Sequence, residues 1–144
     1  QRTMNAIRQR GANNLILVPG NHWTGAHSWI SSDNDNNFGS ITDPANNFAI
    51  EVHNYFDGDH SGTSSGCSSN CASQLSSFTT WARNRGYKAF LAEFGGGRNS
   101  GCSTCIRQVL DHMESNSNVW IGWTWWAAGE EWQDDYLFNL QPVN

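Results

Sequence analysis

Hydrophobic and polar positions along this chain switch repeatedly between the period of a helix and that of a strand. Gln1–Arg10 places Met4 and Ile7 on one face and Arg2, Arg8 and Arg10 elsewhere, which predicts a helix with Gly11 just past its end. Asn14–Val18 is an apolar run closed by Pro19 and Gly20, the pattern of a buried parallel strand. A short helical turn is expected near Ala26–Ile30, then a polar loop over Ser31–Asn47. Phe48–Phe56 predicts a second strand, with Glu51, His53 and Tyr55 on one face and Phe48, Ile50 and Val52 on the other. Asp57–Ser69 reads as a Gly/Ser-rich loop. Ser73–Arg85 carries Leu75, Phe78, Trp81 and Ala82 on one helical stripe and closes at Gly86. Tyr87–Glu93 is the third strand and Gly95–Gly101 its loop. Ser103–Ser115 spaces Ile106, Val109, Leu110 and Met113 as one face of a helix. Asn118–Trp126 is the fourth strand, followed by a loop over Ala127–Gln133 and a brief extended piece at Tyr136–Leu140.

Strands alternating with helices imply an α/β fold with a parallel sheet and right-handed crossovers, here as one unit over residues 1–144. The polar and aromatic residues that stand out (Asn21–Trp23, His53, Tyr55, Glu93, Trp126) fall at the carboxyl ends of the predicted strands. That is the layout of a (β/α)8 TIM barrel, which takes about 250 residues. The chain therefore supplies half of one. Half a barrel leaves two outer strands with unpaired edges, and a homodimer closing around a two-fold axis would pair them. No internal repeat is evident within the half.

Composition narrows the partners. Charged residues make up 15% and net charge is −5, which argues against nucleic acid and against anionic membrane surfaces. No apolar run reaches membrane-spanning length. Eight Trp with so few charges suit a neutral, flat-faced partner such as a sugar, although a Trp-rich core is the plainer explanation. Gln1–Arg10 carries no signal-peptide pattern, which leaves the compartment open. The four cysteines form two close pairs, Cys67/Cys71 and Cys102/Cys105, in Ser/Asn/Gly-rich surroundings. An even count of this kind points to disulfides and an oxidising compartment, with three pairings open. The spacing matches no common zinc module.

Candidate chemistry gathers at the strand ends: one carboxylate (Glu93), one imidazole (His53), one phenol (Tyr55) and indoles (Trp23, Trp126). No Ser sits on a Gly-x-Ser-x-Gly elbow. His53 and Glu93 offer two metal ligands without an obvious third, so no metal and no cofactor are expected. Gly95–Gly97 lacks the lysine and the spacing of a phosphate loop. Glycoside hydrolysis fits better, because an ionised Glu93 can attack an anomeric carbon while Tyr55 donates to it and His53 orients a hydroxyl. Taken singly, each reads as an ordinary core residue. Their convergence at successive strand ends favours a site.

Four ordered stretches then carry a resemblance: Val-Pro-Gly-Asn-His-Trp, Val-His-Asn-Tyr-Phe, Ala-Glu-Phe-Gly-Gly-Gly and Gly-Trp-Thr-Trp-Trp-Ala-Ala-Gly. Together they resemble glycoside hydrolase family 5, in its endo-β-1,4-glucanase (cellulase) branch, over essentially the whole chain. The resemblance implies strands five to eight of the barrel, Glu93 as catalytic nucleophile, and His53 and Tyr55 as the His-x-Tyr pair. It implies Trp126 under a sugar ring, Trp23 as a further platform, and Glu51 as a buried hydrogen-bonding group. It also implies a secreted, extracellular enzyme acting on β-glucan, with mannan and xylan open. The family's acid/base glutamate lies in an Asn-Glu-Pro motif that nothing here matches. In a two-fold dimer the partner's Glu130 or Glu131 could substitute as proton donor; the plainer reading makes both solvated loop charges. By family analogy Cys67 pairs with Cys105 and Cys71 with Cys102. Two other functions compete: an inactive or sugar-binding barrel remnant without turnover, and a metal-dependent enzyme using His53 and Glu93.

Overall fold

The computed structural model describes residues 1–142; residues 143 and 144, the end of the expected 1–144 unit, lie outside the described residues. Four strands, β1 (Ile16–Pro19), β2 (Phe48–His53), β3 (Ala89–Phe94) and β4 (Trp120–Trp125), form one sheet in the order β1-β2-β3-β4. Every pairing is parallel. Helix α1 (Arg2–Gln9) precedes β1, a short α2 (Asn34–Asn37) interrupts the long polar loop, and α3 (Ala72–Arg85) and α4 (Ser100–Ser115) make the two long crossovers. This is the α/β, half-barrel architecture, with half the strand number of a (β/α)8 barrel.

Local chemistry sets the helix ends. Helix α3 stops at Gly86, whose φ of 69° lies in the left-handed region. There Tyr87 N–H reaches Ala82 O at 2.9 Å and Gly86 N–H reaches Arg83 O at 3.0 Å, a Schellman closure. Helix α4 starts three residues earlier than its apolar spacing predicts. Asn99 caps it, its side-chain oxygen accepting from Cys102 N–H at 2.9 Å. Tyr136–Leu140 is not extended: Tyr136 and Asn139 N–H close turns onto Gln133 O and Tyr136 O.

Sheet and helices bury one core. Trp29, Phe78, Ile50, Leu91 and Val109 are fully buried, and Trp81 and Trp120 nearly so. Phe78 packs against Trp29, Trp81 and Trp120 at centroid distances of 5.1, 5.8 and 5.4 Å. Thr79 supplies the buried polar junction. Its hydroxyl donates to Leu75 O at 2.8 Å and accepts from Trp120 Nε1–H at 3.1 Å, with His112 Nε2 at 3.0 Å. Of the eight Trp, only Trp29, Trp81 and Trp120 are core, while Trp23, Trp123 and Trp126 are exposed at 89%, 44% and 36%.

Away from the strand carboxyl ends, Arg8 spends all its donors on one clamp. Nε and Nη2 each reach Asp43 at 2.8 Å, and the remaining N–H groups reach the carbonyls of Ala12, Asn14 and Asn47. The bond from Arg8 holds the Asp43 carboxyl well below the usual carboxylate range.

All four cysteines are bridged, but not as the family analogy implied: Cys67 pairs with Cys102 and Cys71 with Cys105. The sheet explains the correction. Between parallel strands, α3 and α4 run the same way, so the two segments entering them advance side by side. First then meets first and second meets second, with Cα separations of 5.0 and 5.3 Å.

Candidate active site

β2 and β3 deliver the central groups. Their register shifts between Val52 and His53, so that Val52 pairs with Leu91 but His53 pairs with Glu93. His53 Nε2 lies 2.8 Å from Glu51 Oε1, and its Nδ1 lies 3.8 Å from Glu93 Oε2. Glu51 is half-buried and engaged by the imidazole. Tyr55 Oη donates to Glu93 Oε1 at 2.7 Å. Burial first, and the bond to Glu93 second, push the phenol's pKa far up, so it stays a donor at any working pH.

The Tyr55 ring is fitted on two sides. It stacks on Phe138 at 5.5 Å and 16°, and lies over Gly62, where a Cβ would sit 2.8 Å from the ring. Gly62 also has a φ of +71°, so glycine is required twice over. Asp57, 3% exposed, shapes this loop by accepting from the N–H groups of Gly62, Thr63 and Ser64 at 3.1, 3.0 and 3.1 Å.

The loop after β1 presents Trp23 by an uncommon route. His22, Trp23 and Thr24 have φ of 52°, 53° and 51°, three consecutive left-handed non-glycine residues. Side chains hold the turn. Thr24 Oγ1 accepts from Gly20 N–H at 2.9 Å and donates to Glu51 O at 2.6 Å. The buried Asn34 amide accepts from Asn21 N–H at 2.8 Å and donates to Asn21 O at 3.1 Å.

A cavity of about 730 Å³ brings Trp23, His53, Tyr55 and Glu93 together with His27 and His60. Trp126 is not among its lining residues. It follows β4, donates its backbone N–H to Phe94 O at 2.8 Å, and turns its indole N–H to Tyr136 Oη at 2.8 Å, beside Trp132. Glu130 and Glu131 are exposed and make no side-chain hydrogen bond or ion pair among the described residues. No group of three or more His, Cys, Asp or Glu side chains is placed to hold a metal ion among the described residues.

Sequence reasoning missed Asn54, Asp57, His27 and His60. Asn54, 1% exposed, accepts from His27 N–H at 2.9 Å and donates to Gln74 Oε1 at 2.9 Å and Tyr55 O at 3.1 Å. The one available signal was the Asp-Gly-Asp-His-Ser-Gly run, whose Asp and Gly residues favour a side-chain-bonded turn.

Polar and aromatic groups at the carboxyl ends of parallel strands are the layout of enzymes built on (β/α) sheets. The family model described as Cellulase (glycosyl hydrolase family 5) matches residues 1–129, and the chain belongs to that family. It is 39% identical over 144 residues to an endo-β-1,4-glucanase B of Aspergillus niger, covering 99% of this chain and 43% of that protein. Among solved structures it resembles an endo-β-1,4-glucanase of Xanthomonas axonopodis pv. citri, with TM-score 0.94 and 50% identity over 98% of this chain and 46% of that one. It also resembles XacCel5A in complex with cellopentaose, with TM-score 0.93 and 47% identity over 98% and 47%. The chain thus spans less than half the length of these relatives.

Proposed function

We propose that this chain carries the nucleophile side of a retaining endo-β-1,4-glucanase site, with Glu93 as the nucleophile. The observation that carries the reading is the 2.7 Å bond from Tyr55 Oη to Glu93 Oε1, which fixes one carboxylate oxygen and leaves the other toward the cavity beside His53. Glu93 attacks the anomeric carbon, the bond from that carbon to the leaving glucosyl oxygen breaks, and the oxygen takes a proton from a general acid. Water then cleaves the glycosyl ester and restores Glu93. Trp23 supplies a flat apolar face for a sugar ring along the cavity, and Trp126 a second face beyond it. The complex of the related XacCel5A with cellopentaose supports a β-1,4-glucan as substrate. Two disulfides fit export to an oxidising compartment.

The general acid is the incomplete part. Glu51 is engaged by His53, and Glu130 and Glu131 point to no partner among the described residues. The acid comes from the remainder of a barrel. A second copy related by a two-fold axis, pairing β1 of one with β4 of the other, would bring Glu130 and Glu131 in question. A solution mass of one chain eliminates that dimer and its substitute donors.

Glu93→Gln tests the main reading: release of reducing ends from carboxymethyl cellulose is expected to fall to background. Undiminished release by that variant removes Glu93 from the nucleophile's role. The engagement of Glu51 favours one second reading, sugar binding without turnover. Quenching of Trp fluorescence by cellotetraose without release of reducing ends from either form would select it.

A further inference from the structure

Two imidazoles that the mechanism does not use face each other on the wall of the Glu93 cavity. His27 and His60 stack at 4.0 Å between centroids and 17° between planes. His27 belongs to the loop that presents Trp23; His60 belongs to the loop that underlies Tyr55. The stack thus joins the two loops bordering the cavity.

Hydrogen bonds fix the protons. Asn54 Oδ1 accepts the backbone N–H of His27 at 2.9 Å, which identifies that atom as the amide oxygen. His27 Nδ1 lies 3.2 Å from the same oxygen and must carry hydrogen. His60 Nδ1 lies 3.0 Å from Tyr55 O and must carry hydrogen too. In both rings Nε2 is the remaining basic atom. One ring can take a proton on Nε2 while the other stays neutral. A second proton places two like charges about 4 Å apart, and their repulsion disfavours the stack. Burial, and then the neighbouring His60, already hold His27 below its ordinary pKa.

The surrounding charges do not cancel this repulsion evenly. Asp59, on the His60 loop, is held in its charged form by Ser61 and attracts a charge on His60, while Asp57 spends its oxygens on backbone N–H groups of its own loop. His22, from the loop after β1, and His53 and Glu93, from β2 and β3, line the same cavity. On α3, the group behind Asn54 is the neutral Gln74. No carboxylate hydrogen-bonds to either imidazole among the described residues.

We propose that His27 and His60 are positioning residues that form a proton-operated clasp. It is closed when both rings are neutral and parts when both are charged, so that the Trp23 side of the cavity holds a β-1,4-linked oligosaccharide less tightly at acid pH. The ligand class rests on the function proposed above; the clasp itself rests on the stack. Two variants separate ring from charge. His27→Phe keeps a ring that cannot charge. His60→Asn removes the ring yet suits the left-handed backbone at that position, where φ is 62°.

Cellotetraose binding, followed by calorimetry, is expected to weaken at least about fivefold from about pH 7.5 to about pH 5 in the unmodified chain. The ratio in His27→Phe should stay within about twofold, and His60→Asn should bind more weakly already at about pH 7.5. An equal pH ratio in His27→Phe, or unweakened binding in His60→Asn, overturns the proposal. If cellotetraose binds at neither pH, the sugar reading fails, and NMR titration of the His27 ring then decides the clasp. Its midpoint should rise in His60→Asn, and an unmoved midpoint overturns it.

Discussion

Tyr55 makes Glu93 a positioned group as well as a charged one. A hydrogen bond to a carboxylate is worth about 1.5–3 kcal/mol, and this donor cannot be lost to titration because burial keeps the phenol protonated. Tyr55→Phe keeps the ring on Phe138 and over Gly62 while deleting only the donor. If Glu93 is the nucleophile, kcat on carboxymethyl cellulose should fall about 10- to 100-fold, with KM nearly unchanged. A loss carried mainly in KM would make Tyr55 a substrate contact instead. Tyr55 also shows how far side-chain alternation can be followed. Glu51 and His53 were legible because both lie on β2. Tyr55 lies past the strand's end, and reaches Glu93 because Asn54 is pinned by His27 and Gln74. His27, His60 and Asp57 were illegible because irregular loop hydrogen bonds place them, His27 on Asn54, His60 on Tyr55 O and Asp57 on the N–H groups of Gly62, Thr63 and Ser64, and such bonds leave no period in the sequence.

At the scale of elements, the two bridges staple the loop after β2, and the start of α3, to the first two turns of α4. They enclose separations of 35 and 34 residues. Loop-closure entropy assigns each about 4 kcal/mol, less any native strain. Helix periodicity, which located α3 and α4 well, contains nothing about which cysteine faces which. Only the shared direction of the two helices does, and that follows from the parallel sheet. The pairing gives a sharp thiol count. Cys67→Ala with Cys102→Ala should keep one bridge and show no free thiol. Cys67→Ala with Cys105→Ala should leave Cys71 and Cys102 unpartnered and titrate two. Reversal of those counts would restore the crossed pairing.

For the molecule as a whole, four titrating groups bias stability against acid, and their signs agree: His27, His112, Asp43 and the fully exposed Asp59, which its bonds from Ser61 hold below the ordinary carboxylate value. His27 and His112 are held below their ordinary value, in each case by burial first. Each is neutral in the fold and takes a proton more readily when unfolded. Their contribution is present above the unfolded value of about 6.5 and is lost as pH falls toward their folded values. Asp43 is depressed by its bond from Arg8, so its contribution is present above about pH 4 and is lost only below that, as the carboxyl protonates and the clamp on α1 opens. The melting temperature should therefore be level above about pH 7, decline on acidification through about pH 6, and decline again below about pH 4. The first decline has a local origin that can be removed. His112→Gln, which keeps a polar group toward Thr79, should flatten part of it, and adding His27→Phe should flatten more. A melting temperature unchanged between about pH 7.5 and pH 5 would mean that neither imidazole resists protonation in the fold. The Asp43 part of the second decline belongs to the opposite end of the strands from Glu93, so Asp43→Asn should remove that part while leaving cellotetraose binding intact.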